Sequence, residues 1–91
     1  MIMKFNHYDL GQKSGGETIE VSLSGNAANV RLMDDSSFYS YRLDRKHKYY
    51  GGYSKKSPVI LQIPHFGHWH VTVDLGGYRG SVQSSIRVLS S

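Results

Sequence analysis

An antiparallel β-sandwich of jelly-roll type, with about seven to eight short strands, is the fold class this sequence predicts. Three observations lead there. Apolar and polar residues alternate in short runs, as where Ile19, Val21 and Leu23 interleave with Thr18, Glu20 and Ser22. Turn-forming residues return at intervals of roughly ten, the spacing of a sandwich or barrel. No segment of about ten residues or more carries an apolar stripe at helical spacing. A single sheet of this extent would leave an apolar face wet, so two sheets must pack on each other around the alternating residues.

The elements follow in order. A strand-like piece runs from Met3 to Asp9, and Gly15-Gly16 punctuates the chain before Ile19, Val21 and Leu23. Ser24-Gly25-Asn26 supplies a turn, since Gly and Asn tolerate positive φ, and Val30 and Leu32 resume the alternation. Asp34-Asp35-Ser36-Ser37 reads as the next turn, followed by an aromatic strand from Phe38 to Tyr41 that runs into a loop through Arg42 to Lys48. Tyr50-Gly51-Gly52-Tyr53 is either a tight hairpin turn or a loop tip, and Ser57-Pro58 ends that region. Val59, Leu61 and Ile63 then share one strand face, with Ile60 and Gln62 on the other. After His65-Phe66-Gly67, the residues Trp69, Val71, Val73 and Leu75 point to the core, with Trp69 firmly inside; His68, His70, Thr72 and Asp74 turn to the opposite, solvent-facing side. GGYRG makes a turn, and Val82, Ile86 and Val88 mark the last strand.

Composition narrows the function. Ninety-one residues make one domain, 1–91, near the small end at which an apolar core suffices unaided. The absence of cysteine excludes disulfides, thiolate zinc sites and cysteine nucleophiles. The opening MIMKF has no signal-peptide run, and no window approaches a membrane span, so the expected location is cytoplasmic. A net charge of +4 and a pI near 9.5 tilt toward anionic partners.

Two constellations can carry chemistry. His68 and His70, two apart on one strand face, are candidate metal ligands, with Asp74, His65 or His7 as a third. Paired histidines on a solvated strand face are usually plain surface, so no metal or other cofactor is assigned. His70-Val71-Thr72-Val73 also fits the H-x-T-x element of two-histidine phosphoesterases, but those need two copies and one is present. With no G-x-S-x-G elbow, P-loop or G-x-G-x-x-G run, no catalytic residue is assigned and an enzyme is not expected. The second constellation spans Phe38 to Lys56, which holds five of the seven tyrosines and six of the eleven Lys and Arg residues against one acid, Asp44. Arg42, Arg45, Lys46, Lys48, Lys55 and Lys56 can neutralise an anionic ligand, while Tyr41, Tyr49, Tyr50 and Tyr53 can stack on bases or sugar rings. The competing reading is that the tyrosines pair across strands and the lysines keep an edge soluble.

The stretches KFNHYDLG (Lys4 to Gly11), GGETIEVSLSGNAANVRLMD (Gly15 to Asp34), KYYGGY (Lys48 to Tyr53), SPV (Ser57 to Val59) and GHWHVTVDLGGYRGSVQSSIRV (Gly67 to Val88) resemble a family of small bacterial proteins classed as domain of unknown function 1883. Members stand alone or are joined to TIR signalling domains. The resemblance implies a recognition or sensing module and brings no catalytic residues. A looser likeness to jelly-roll binding modules of secreted bacterial enzymes, through Gly16, Ile19 to Leu23, Asn29 to Leu32 and Gly67 to Val73, bears on the fold. The expected function is a non-catalytic binding or sensing module that takes an unidentified, anionic ligand on the basic, tyrosine-rich stretch; nucleic acid is a less favoured version of it. The alternative is a structural protein that assembles as a homo-oligomer through Ile60 and Leu89, joined by Phe38 and Tyr41.

Overall fold

A computed structural model of the chain describes residues 5–77 and 79–89. Seven strands, β1 (Phe5–Lys13), β2 (Thr18–Gly25), β3 (Ala28–Asp34), β4 (Tyr50–Ser54), β5 (Val59–Gln62), β6 (Gly67–Asp74) and β7 (Val82–Leu89), are joined by one helix, α1 (Asp35–Arg42). They form two antiparallel sheets, of order β1-β6-β3-β4 and β5-β2-β7. The all-β sandwich is therefore correct, with one helix added.

The core sits where the alternation places it. Ile19 and Val21 of β2, Val30 and Leu32 of β3, and Trp69, Val71 and Val73 of β6 are buried between the sheets with Ala28 and Ile63. Trp69 is 1% exposed, and its indole N–H donates to the His65 carbonyl at 3.0 Å, so its one polar atom is satisfied inside. Ile60 faces outward at 56% exposure and Leu89 is also exposed.

β1 is longer than the sequence suggests, and Met3 and Lys4 lie outside the described residues. Its pairing with β6 slips by one residue between Asp9 and Gly11: Asp9 opposes His70 and Gly11 opposes Trp69, leaving Leu10 as the extra residue of a bulge. Gly11 adopts φ 73°, and its amide donates to Asp9 Oδ1 at 2.9 Å. Glycine takes this left-handed backbone without penalty.

Several expectations fail between β3 and β5. Asp34 to Ser37 is a helix start, and Phe38 to Tyr41 is helix rather than strand. Asp34 is extended, at φ −79° and ψ 178°, and its carboxylate accepts from the Ser37 amide at 2.9 Å, so it caps α1. Asp35 in the first turn and Arg42 in the last suit the helix dipole. Phe38 and Tyr41, three apart, share a helix face, and both rings meet Phe5 of β1, at 6.2 and 5.0 Å between centroids. They thus pack on the four-stranded sheet, away from Ile60 and Leu89, and the apolar patch proposed to join all four does not form. Tyr50 to Tyr53 is likewise not a turn: Gly51 and Gly52 belong to β4, opposite Arg31 and Val30. The reversal from β3 to β4 is made by α1 and its loop, so no hairpin turn is needed. A Cβ on Gly51 would collide with the Val30 carbonyl oxygen, which accounts for glycine inside a strand.

α1 roofs the outer face of β1-β6-β3, while the outer face of β5-β2-β7 carries the Arg87–Glu20 ion pair at 3.3 Å. Among the described residues no helix is long and apolar enough to cross a membrane.

Candidate functional site

The roof changes the character of the β6 face expected to meet solvent. His70, Thr72 and Asp74 are buried beneath it, and only His68 stays partly open. Asp74 is the polar anchor. Its Oδ2 accepts from Arg31 Nη1 and from the Tyr41 hydroxyl, both at 2.6 Å, and its Oδ1 accepts from Asn29 Nδ2 at 3.0 Å and the Gly76 amide at 2.8 Å. Burial, reinforced by the hydrogen bond to Asp74, pushes the Tyr41 phenol far above its ordinary range. The Arg31 guanidinium lies 5.7 Å from the Tyr41 ring centroid and 5.0 Å from that of Tyr49. Asp74, considered from sequence as a third metal ligand, is fully committed here instead.

A second cluster lies where β1, β6 and the start of α1 meet. His68 Nε2 is 2.6 Å from Asp9 Oδ1 and 4.0 Å from Asp35 Oδ1. His70 Nε2 is 2.5 Å from Asp35 Oδ1, and its Nδ1 is 2.9 Å from His7 Nε2. The Phe38 ring stacks on both His7 and His70, with centroids 4.2 and 4.4 Å away and planes within 16°. The bulge aims Asp9: its carboxylate is held below the usual range, first by the Gly11 amide and then by His68. Of the third partners considered for His68 and His70, His7 joins the cluster and His65 does not, its ring lying against Trp69 at 5.0 Å. Asp9, Asp35 and Phe38 were missed. The capping run Asp34 to Ser37, followed by Phe38 and Tyr41 at helical spacing, was the available signal for the last two.

This cluster imposes a pH dependence. Burial, aided by the His70 charge, lowers the pKa of His7 from its ordinary 6.5. The unfolded chain therefore binds a proton that the folded protein resists, so stability present above about pH 6.5 declines as pH falls below it. Asp9 and Glu17 are lowered by backbone amides; Asp34 is lowered because its bonds to Ser37 and Ser36 outweigh its burial. Their contributions are complete above the carboxylate range and are lost as pH falls through it. A melting profile is expected to be flat between about pH 7 and 9, to decline gently from about 6.5 and to fall steeply below about 4.5. His7→Gln should make the gentle segment shallower; a profile superimposable on the wild type would contradict its assignment.

The basic, tyrosine-rich stretch follows directly. Arg42 closes α1; Arg45, Lys46 and Lys48 lie in the connection to β4; Tyr50 and Tyr53 are on β4, Tyr49 just before it, and Lys55 and Lys56 just after. His47 packs on Tyr41 and Tyr49 at 5.2 and 5.4 Å, which folds the connection back on the helix. All six cations are exposed, and among the described residues none forms an ion pair. Tyr39 and Tyr53 are 61% and 66% exposed. Tyr41, expected as a stacking ring, is buried, and Tyr49 is partly occupied by Arg31.

Residues 3–91 match the family described as "Domain of unknown function (DUF1883)". The chain belongs to that family. No curated protein and no solved structure matches it. In this DUF1883 domain, α1 therefore joins two features at its opposite ends: Asp35 in the histidine cluster and Arg42 at the head of the basic stretch.

Proposed function

We propose that this DUF1883 domain is a non-catalytic binding or sensing module that presents its basic, tyrosine-rich surface to an anionic ligand. The observation that carries this reading is the row of six exposed cations, Arg42, Arg45, Lys46, Lys48, Lys55 and Lys56, without ion-pair partners among the described residues and interleaved with exposed tyrosines. Such side chains keep their full charge available to phosphates or carboxylates, and Tyr50 and Tyr53 offer ring faces beside them. The joining of family members to TIR domains and a bacterial, cytoplasmic setting belong to the same proposal, in which the module would supply the recognition step.

The test is binding of a fluorescently labelled single-stranded oligonucleotide, read by anisotropy across a salt series. Replacing Arg45, Lys46 and Lys48 together by alanine is expected to weaken binding at least about tenfold and to reduce the logarithmic salt slope by about two. Binding unchanged in the triple variant would overturn the assignment of this surface. Steep salt dependence would identify a phosphate-rich ligand, whereas flat dependence would point to a sugar or small molecule held by stacking.

A further inference from the structure

We propose that Asp9, His68 and His70, closed by Asp35, form a binding site for a divalent transition metal ion, with zinc the ion whose chemistry the donors fit best. One ligand atom from each of Asp9, His68 and His70 lies within 4.8 Å of the others. Asp35 Oδ1 adds a fourth donor, 2.5 Å from His70 Nε2 and 4.0 Å from His68 Nε2. Two imidazole nitrogens and two carboxylate oxygens are a borderline-soft set suited to a four-coordinate ion. Around such an ion, with bonds of about 2.0–2.2 Å, neighbouring donors stand about 3.3 Å apart. The two shortest pairs here, 2.5 and 2.6 Å, must therefore open, and the 4.0 Å pair of His68 and Asp35 must close, each by less than about 1 Å. The freedom lies where it is needed: the side chains of Asp9 and Asp35 are 54% and 66% exposed, while the histidines are fixed two residues apart on β6.

The surroundings are those of a prepared site. With a metal on His70 Nε2, Nδ1–H donates to His7 Nε2 at its present 2.9 Å, the kind of outer hydrogen bond that orients a ligating imidazole. Phe38 stacks on both rings and limits their rotation. The Gly11 amide donates to the Asp9 oxygen that approaches His68 and keeps the carboxylate turned toward the cluster. An ion here would tie three elements together: β1 through Asp9, β6 through both histidines, and α1 through Asp35. The inference is independent of the ligand assigned to the basic stretch, since none of the four donors belongs to it.

The experiment uses the untagged full chain, stripped with a chelator and titrated with Zn²⁺ by calorimetry, with Co²⁺ as a spectroscopic stand-in. One ion per chain, a higher melting temperature on saturation, and a visible Co²⁺ band of four-coordinate intensity are expected. Because His70 is buried, the partly exposed His68 and the exposed Asp9 carry the mutational test. His68→Ala and Asp9→Asn should each weaken zinc binding at least about tenfold, and His65→Ala, outside the cluster, should leave it unchanged. Absence of stoichiometric zinc uptake by the wild type would overturn the proposal. So would uptake that survives in His68→Ala and Asp9→Asn, or that is lost equally in His65→Ala.

Discussion

Replacing Asp74 by alanine is expected to destabilise the domain by about 3–5 kcal/mol, lowering its melting temperature by about 15–30 °C for a chain of this size. Its carboxylate is wholly inaccessible and accepts four hydrogen bonds, from Arg31, Tyr41, Asn29 and the Gly76 amide. Removing it leaves the Arg31 guanidinium, itself only 17% exposed, without a counter-charge and strands the Tyr41 hydroxyl beneath α1. The cost arises from what remains, because an unpaired buried charge has lost its hydration and gained nothing. Tyr41→Phe, which removes a single donor, should cost only about 1–2 kcal/mol. Pairing Asp74→Leu with Arg31→Met should recover much of the loss, since neither charge then remains. An Asp74→Ala protein that melts within a few degrees of the wild type would mean that Arg31 escapes to water and that α1 does not depend on this anchor.

Trp69→Ala is expected to cost a comparable amount, about 3–5 kcal/mol, by a different route. The indole is the largest fully buried side chain, set among Ile19, Leu32 and Val71, and a cavity of its size cannot close in a sandwich whose two sheets are fixed by their own ladders. Denaturant titration followed by circular dichroism should show a lower midpoint with little change in slope. Trp69→Phe should lose less, mainly the bond to the His65 carbonyl and part of the ring volume. The wild type offers a convenient second probe. Trp69 is the only tryptophan, so its fluorescence reports directly on separation of the sheets.

The strands were legible wherever one face is apolar and the other polar, because a period of two is a direct imprint of a half-buried sheet. That rule placed Ile19, Val21, Val30, Leu32, Trp69, Val71 and Val73 correctly in the core and Ile60 outside. It misjudged the other face of β6, since nothing in the alternation of His68, His70, Thr72 and Asp74 says that a third layer lies over them. The helix that forms this layer is eight residues long, too short for an apolar stripe to stand out, and its start imitates a turn because Asp and Ser serve both purposes. The histidine cluster shows the same limit. His68 and His70 are visible as a pair two apart, but Asp9 and Asp35 reach them only through strand pairing and helix placement, which bring together residues 59 and 35 positions away. The basic stretch was plain in composition. What the fold adds is that Tyr41 leaves the surface while Tyr39 and Tyr53 remain on it.

The bulge at Leu10 and Gly11 works like a frameshift in β1. Before it, odd-numbered residues face α1 and even-numbered ones face the core: Phe5, His7 and Asp9 on one side, Tyr8 and Leu10 on the other. After it the parity is exchanged, with Gly11 opposite Trp69 and Gln12 opposite His68. Deleting Leu10 would make Asp9 and Gly11 neighbours, still opposite His70 and Trp69, so both halves of β1 would keep their phase with β6 in a regular ladder. What the deletion would remove is the bulge geometry in which the Gly11 amide donates to the Asp9 carboxylate that approaches His68. One extra residue thus leaves the facing of the strand intact while giving the Asp9 carboxylate a backbone amide to rest on.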